Sequence, residues 1–167
     1  MLSLMTIQSK ILNLLRIGLG WIFLWAFLDK VWGLGFSTAD GKAWIDGVSP
    51  TTGFLKFGVD GPFTNTFQSM AGQPIVDWLY MLGLLLVGTA LVLGIATRLA
   101  AIGGTIMMLL IFFAASIPPE HNPVIDEHII YILSLWLLAA SPETGNWLGL
   151  GRWWHNLLIV QRFPILK

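Results

Sequence analysis

Cysteine is absent from all 167 residues, which excludes a disulfide framework, thiolate-ligated iron–sulfur clusters, covalently attached c-type haem and CxxC redox chemistry. Charge is also scarce. Only 11% of the residues are charged, nine basic against nine acidic, so the formal net charge is zero and the basic excess typical of nucleic-acid binding is missing. What remains is apolar: 56% hydrophobic residues and a mean hydropathy of +0.76 are too high for an ordinary soluble domain of this length. The composition is that of an integral membrane protein. Any electron transfer through it must use something other than thiolate-held metal.

A hydrocarbon core takes about 20 mainly apolar residues of helix, and four segments approach that length: residues 11–35, 75–96, 99–117 and 124–140. The first has its uncharged centre between Arg16 and the pair Asp29-Lys30. It could be mistaken for a secretory signal, because Lys10 and Arg16 precede a short apolar stretch and Ser37-Thr38-Ala39 supplies small residues. The charges at Asp29-Lys30, followed by further apolar residues, fit a span better. Only Thr97-Arg98 separates the second and third segments, a connection short enough to make them antiparallel neighbours. For the fourth, Asn122 suits an N-cap and Pro123 the first helical position. The expected fold is therefore all-α: a four-transmembrane-helix bundle within one membrane domain, 1–167.

The connection of residues 36–74 is too hydrophobic for a tether, with Trp44, Phe54, Leu55, Phe57, Phe63, Phe67 and Met70 set among Gly, Pro and Ser breakers. It is expected either to cap the bundle on the outer side or to rest on headgroups as an amphipathic loop. After Ala140, residues 141–167 carry Trp147, Trp153, Trp154, Leu157, Leu158 and Arg162. They read as an interfacial C-terminal helix in an aromatic belt. Lys10, Arg16, Arg98, Arg152, Arg162 and Lys167 fall on one side of the bundle, with Glu143 the one acid. The other side has three lysines and eight acids. The positive-inside rule then places both termini in the cytoplasm, with an acidic outer face. Within the spans, Ala90/Gly94 and Ala100/Gly104 have the spacing of close helix packing, and Gly83, Gly88 and Gly103 thin the same helices.

Ionisable groups against such hydrophobic segments are functional candidates. Before and into the fourth segment stand Glu120, His121, Asp126, Glu127 and His128. Asp126 and Glu127 could simply complement the helix's positive N-terminus, or the carboxylates and imidazoles could exchange protons. A metal site is a third reading, although the spacing matches no diagnostic pattern. Tyr131 and Ser134 continue the face of Glu127 inward. In the first segment Trp21, Trp25 and Trp32 form a stripe, a lipid-facing or packing surface that could alternatively stack on a ligand ring. Arg16 and Lys30 lie on roughly the opposite face, with Asp29 between. Arg16 either snorkels to the headgroups or faces the bundle and binds a quinone oxygen or a partner's carboxylate. Asp29 and Lys30 have the same choice between snorkelling and chemistry.

Arg16-Ile17-Gly18-Leu19-Gly20-Trp21-Ile22-Phe23 followed by Asp29-Lys30 resembles the first span of the DoxX/DoxD membrane family. Ser49-Pro50-Thr51-Thr52-Gly53-Phe54-Leu55, Gly61-Pro62-Phe63 and Asn122-Pro123-Val124-Ile125-Asp126-Glu127-His128 look like archaeal or actinobacterial members. The resemblance runs along nearly the whole chain. It implies a compact four-helix protein of the prokaryotic cytoplasmic membrane. In the DoxD branch it implies thiosulfate:quinone oxidoreductase, in which two thiosulfates become tetrathionate and a quinone takes the electrons. Some members act as membrane subunits beside other redox proteins.

An acidic outer face repels a dianion, so direct thiosulfate capture by this chain is not expected. The favoured reading is a quinone-linked membrane subunit working with another redox subunit, or assembling with further copies of itself. Glu127, His128, Asp29 and Lys30 would be its catalytic candidates, and Arg16, Trp25 and Tyr131 its quinone contacts. The alternatives are a non-enzymatic scaffold of a larger membrane complex and a small cation channel. The spans carry no continuous polar stripe to support a channel.

Overall fold

The computed structural model describes residues 6–115, 117, 119, 124–141 and 143–167, and among them there are helices and loops but no strand. Helix α1 (Ile7–Trp32) starts at Thr6, whose hydroxyl accepts from the Ser9 amide (3.2 Å), and stops at Gly33, where a φ of 63° suits a residue without a Cβ. Two one-and-a-half-turn helices follow, α2 (Thr52–Phe57) and α3 (Thr64–Ser69). Helix α4 (Pro74–Leu93) has proline at its first position, where no amide is needed. Helix α5 (Thr97–Ala114) and helix α6 (Glu127–Ala140) complete the bundle. The tail forms α7 (Gly151–His155) and α8 (Leu158–Arg162), then a single 3₁₀ turn, Pro164–Leu166.

At 1.5 Å per residue, α1, α4 and α5 are each about 27 Å long or more, and they are the three helices long and apolar enough to cross a membrane. Helix α6 has 14 residues, about 21 Å, and is apolar but shorter than a simple span. The expected start at Asn122-Pro123, with Glu120 and His121, lies outside the described residues. The helix that is observed begins at Glu127 with Asp126 as its cap. Thr97-Arg98, expected to link the second and third segments, instead forms the first turn of α5. The link is Gly94–Ala96, because Gly94 (φ 71°) and Ala96 (φ 47°) both take the left-handed conformation and end α4 earlier. The single interfacial helix expected in the tail is two short helices, and the tail's end folds back on the start of α5: the Arg98 amide donates to the Lys167 carbonyl (2.9 Å), while within the tail the Trp154 indole donates to the Leu166 carbonyl (2.5 Å).

Helix α1 packs on α4, α4 on α5 and α5 on α6. Leu19, Phe23, Met81, Leu84, Leu91, Ala101, Leu135 and Leu138 fill the centre. The outside is apolar as well, with Trp21, Leu79, Leu86, Ile106, Leu110 and Leu133 exposed, as a lipid-solvated bundle requires. A smaller cluster joins the segment between α1 and α4 to the bundle: Leu55 and Val59 meet Ala114, and Phe67, Ala71 and Val76 close around them. Trp44 stacks edge-on against Trp78, centroids 4.7 Å apart. Buried Asp77, in the first turn of α4, accepts from the hydroxyls of Ser49 (2.8 Å) and Thr51 (2.5 Å). This segment is thus tied to the ends of α4 and α5 by both apolar and polar contacts.

The approach of α1 to α4 is set by glycine. A Cβ on Gly88 would stand 2.6 Å from the Leu24 nitrogen, and one on Gly20 would stand 2.8 Å from the Val92 nitrogen, distances that backbone cannot yield without parting the helices. Gly88→Ala is therefore expected to lower stability by about 1–3 kcal/mol, read as a fall in the thermal unfolding midpoint in detergent. Gly18→Ala, whose new methyl meets nothing within 4 Å, is expected to leave the midpoint unchanged or raise it.

Candidate functional site

Polar residues gather at the two ends of the bundle. At the end where α4 turns into α5, Arg16 is completely buried. Its guanidinium donates to the carbonyls of Leu91 and Val92 (2.7 Å for Val92), which end α4, and to those of Trp147 (3.3 Å) and Leu148 (2.8 Å). The last carbonyls of a helix lack intrahelical donors and carry the negative end of its dipole, so a cation is well placed there. Among the described residues no carboxylate pairs with Arg16. Snorkelling is ruled out by the burial, and the inward orientation is found, but the partners of both terminal nitrogens are main-chain carbonyls; Nε, also buried, has no partner among the described residues.

Asn13, one turn earlier and also fully buried, shares this work. Its amide nitrogen donates to the Ser9 carbonyl (2.8 Å) and its oxygen accepts from the Gly145 amide (2.9 Å). Gly94 and Gly145 meet here with backbone against backbone. Leu148 holds a φ of 51°, a left-handed conformation that costs about 1–2 kcal/mol for a residue with a side chain. It is held in place by its carbonyl on Arg16 and by the Leu150 amide on the Leu93 carbonyl (2.7 Å). Asn13 is not among the candidates above; its signal in the sequence is a polar side chain three residues from Arg16, hence on the same face of an otherwise apolar helix.

At the opposite end, Asp29 is buried and its carboxylate is enclosed by the chain that follows α1. Oδ2 accepts from the Ser37 amide (3.0 Å), the Ser37 hydroxyl (2.7 Å) and the Thr38 amide (2.8 Å), and Oδ1 from the Phe36 amide (3.2 Å). This shapes the loop and neither snorkels nor leaves the carboxylate open. Trp25, half-buried one turn below, stacks edge-on against Phe36 with centroids 5.1 Å apart. Trp21 and Trp32 on the same stripe are half-exposed, in keeping with a packing or lipid-facing surface. Lys30 is partly buried. Among the described residues neither Asp29 nor Lys30 is hydrogen-bonded or ion-paired to Glu127 or His128.

The start of α6 is built differently. Asp126 Oδ1 caps the helix, accepting from the amides of His128 (3.0 Å) and Ile129 (3.4 Å), while Oδ2 lies 2.7 Å from His128 Nδ1. Burial works against the Asp126 charge, but the bond to His128, the imidazole's own charge and the two amides outweigh it. They hold the carboxyl below its ordinary value. A carboxylate can only accept, so Nδ1 carries the proton and a neutral His128 presents its bare Nε2 lone pair away from the pair. Glu127 is exposed beside it, and the ligand atoms of Asp126, Glu127 and His128 lie within 4.8 Å of one another. Tyr131, one turn further, packs on the main core, and Ser134 is partly buried. Glu127, Tyr131 and Ser134 thus share a face, without a hydrogen bond joining them among the described residues.

Comparison with known proteins returns one family. The model described as DoxX matches residues 11–117, more than half of the chain. No curated protein and no solved structure matches significantly.

Two outcomes follow from this geometry. Arg16→Lys, which keeps the charge but cannot reach four carbonyls, is expected to cost about 3 kcal/mol or more, seen as a lower unfolding midpoint in detergent. A residue serving only to bind quinone would leave that midpoint alone. The Asp126 carboxyl is held below its unfolded value, so the stability it contributes is complete above about pH 4 and disappears as the pH falls through the lower folded value. The wild-type midpoint should therefore fall more steeply on acidification than that of Asp126→Asn, which still caps the helix.

Proposed function

The chain belongs to the DoxX family, and from that membership we propose that it is a membrane subunit of a quinone-linked oxidoreductase that works with a redox partner. The observation that carries this reading is the Asp126–His128 pair, 2.7 Å apart at the head of an apolar helix. Reducing a quinone takes up electrons and protons together. A carboxylate that orients an imidazole leaves Nε2 to take up a proton and pass it on, which is the proton half. With no cysteine to hold a metal cluster, the electrons come from a partner subunit that oxidises the donor. DoxX proteins as membrane proteins are often linked to quinone-associated oxidoreductase subunits, which supports the same division of labour.

In this reading His128 Nε2 hands its proton to a quinone oxygen and Glu127, exposed at the bundle end, resupplies it. Tyr131 and Trp25 contact the ring, and Lys30 steadies the developing oxyanion. Arg16 and Asp29 hold the frame. Thiosulfate is the donor we favour, oxidised on the partner because the acidic end of this chain repels a dianion. Following the positive-inside distribution, the basic end faces the cytoplasm of a prokaryotic cell.

A second reading, a non-enzymatic scaffold, is favoured by a specific observation. Arg16, Asn13, Asp29 and Asp77 all bind groups of the chain itself. The two readings part at His128. In the partner complex purified in mild detergent, His128→Gln is expected to slow reduction of a short-chain quinone analogue about 10²-fold or more, with assembly intact and with Glu127→Gln less affected. Turnover equal to wild type in His128→Gln would leave the scaffold.

A further inference from the structure

Beyond the helix ends already described, one cavity of about 290 Å³ opens where the tail folds back on the bundle. It is lined by Thr97, Arg98, Ser141, Thr144, His155 and Lys167, together with Gln161 and two alanines of α6. A water occupies about 30 Å³ of liquid, so the space admits a group several times larger. The lining is basic. Two cationic side chains and an imidazole meet there, and no acidic side chain is among the lining residues. Burial first, and then the charges of Lys167 and Arg98, push the His155 imidazole below its ordinary value.

A second observation concerns the same lining. Thr144 is 2% exposed, and its hydroxyl has no hydrogen-bond partner among the described residues. Buried hydroxyls are ordinarily paired, and Thr144 is one of the residues that line the cavity. The arrangement is also fixed in place. The Lys167 carbonyl accepts from the Arg98 amide (2.9 Å), and the Arg98 guanidinium donates to the Pro164 carbonyl (2.9 Å), so Arg98 and Lys167 are held at the rim by main-chain bonds. These leave the Lys167 ammonium and part of the Arg98 fork for a ligand.

We infer that this cavity binds the phosphate group of an anionic ligand, supplied either by a membrane phospholipid or by a soluble phosphate ester. A phosphate offers oxygens to the Arg98 fork, the Lys167 ammonium and the Thr144 hydroxyl together, and it neutralises the charge that sets His155 against its neighbours. Trp153, Leu158 and Ile159 lie exposed on the adjoining helices. Aromatic and apolar side chains so placed put the cavity at headgroup depth. The site is independent of the quinone reading and lies at the other end of the bundle.

The test uses the full chain. Inorganic phosphate is titrated against the detergent-purified protein at constant ionic strength. In parallel, nanodiscs of phosphatidylcholine doped with phosphatidylglycerol are analysed for retained lipid by native mass spectrometry. Phosphate is expected to raise the unfolding midpoint and to move the His155 ring titration to higher pH. Lys167→Gln and the nearly isosteric Thr144→Val should each weaken binding about tenfold, while melting as wild type without ligand. Retention of phosphatidylglycerol that phosphate displaces assigns the site to a lipid headgroup, and phosphate binding without such retention assigns it to a soluble ester. Neither phosphate binding nor selective lipid retention, or binding that both variants leave unchanged, would overturn the inference.

Discussion

A guanidinium with no exposed surface, near the beginning of the first membrane helix, is the interaction on which the rest of this structure depends. A charge taken out of water is costly without partners. The two terminal nitrogens of Arg16 find theirs in the carbonyls that close α4 and in those of Trp147 and Leu148 beyond α6, while its buried Nε has none among the described residues. Three separate parts of the chain must therefore be in place before the charge is satisfied. The glycines at 94 and 145 let those backbones come close enough, and Asn13 adds a second grip on the same loop. Helix packing in lipid has little hydrophobic drive of its own, so a bond set of this kind settles which helix ends belong together.

The far end uses the same physics with the opposite charge. Asp29 gathers amides and a hydroxyl from the chain just after α1, and Asp77 gathers hydroxyls from the segment that covers α4. In both cases a carboxylate near a helix end organises a loop. Asp126 does this too, but it also orients a histidine. That extra bond separates the α6 head from the other acidic positions: it leaves a titratable ring nitrogen free for a second task, whereas the oxygens of Asp29 already have their donors.

How far each site residue could be read from the chain differed by residue. His128 beside carboxylates, ahead of an apolar run, was visible as a candidate because ionisable groups are rare there. Its pairing with Asp126 rather than with Glu127 was not, since adjacent residues of a helix start look equivalent in sequence and the cap geometry alone decides which oxygen meets the imidazole. Arg16 was read as a choice between headgroups and quinone, and its carbonyl partners were invisible because they lie 75 residues or more away and backbone groups leave no sequence signal. The basic cavity was hidden for a similar reason. Arg98, His155 and Lys167 meet only after the tail folds back on α5.

By itself, the sequence determined the helical class, the membrane-length apolar segments, the clustering of cations at one end and acids at the other, and the family. All of these follow from local hydropathy, composition and residue order, which act over a few turns of chain. Tertiary structure alone decided where the helices stop, that α6 is only 14 residues long, and which buried charges bind main chain and which pair with a histidine. Those outcomes depend on distances between segments remote in sequence. There, most buried polar groups are satisfied by whichever carbonyl, amide or hydroxyl the packing brings within reach, and Ser9 Oγ, Arg16 Nε and Thr144 Oγ1 are left without one among the described residues.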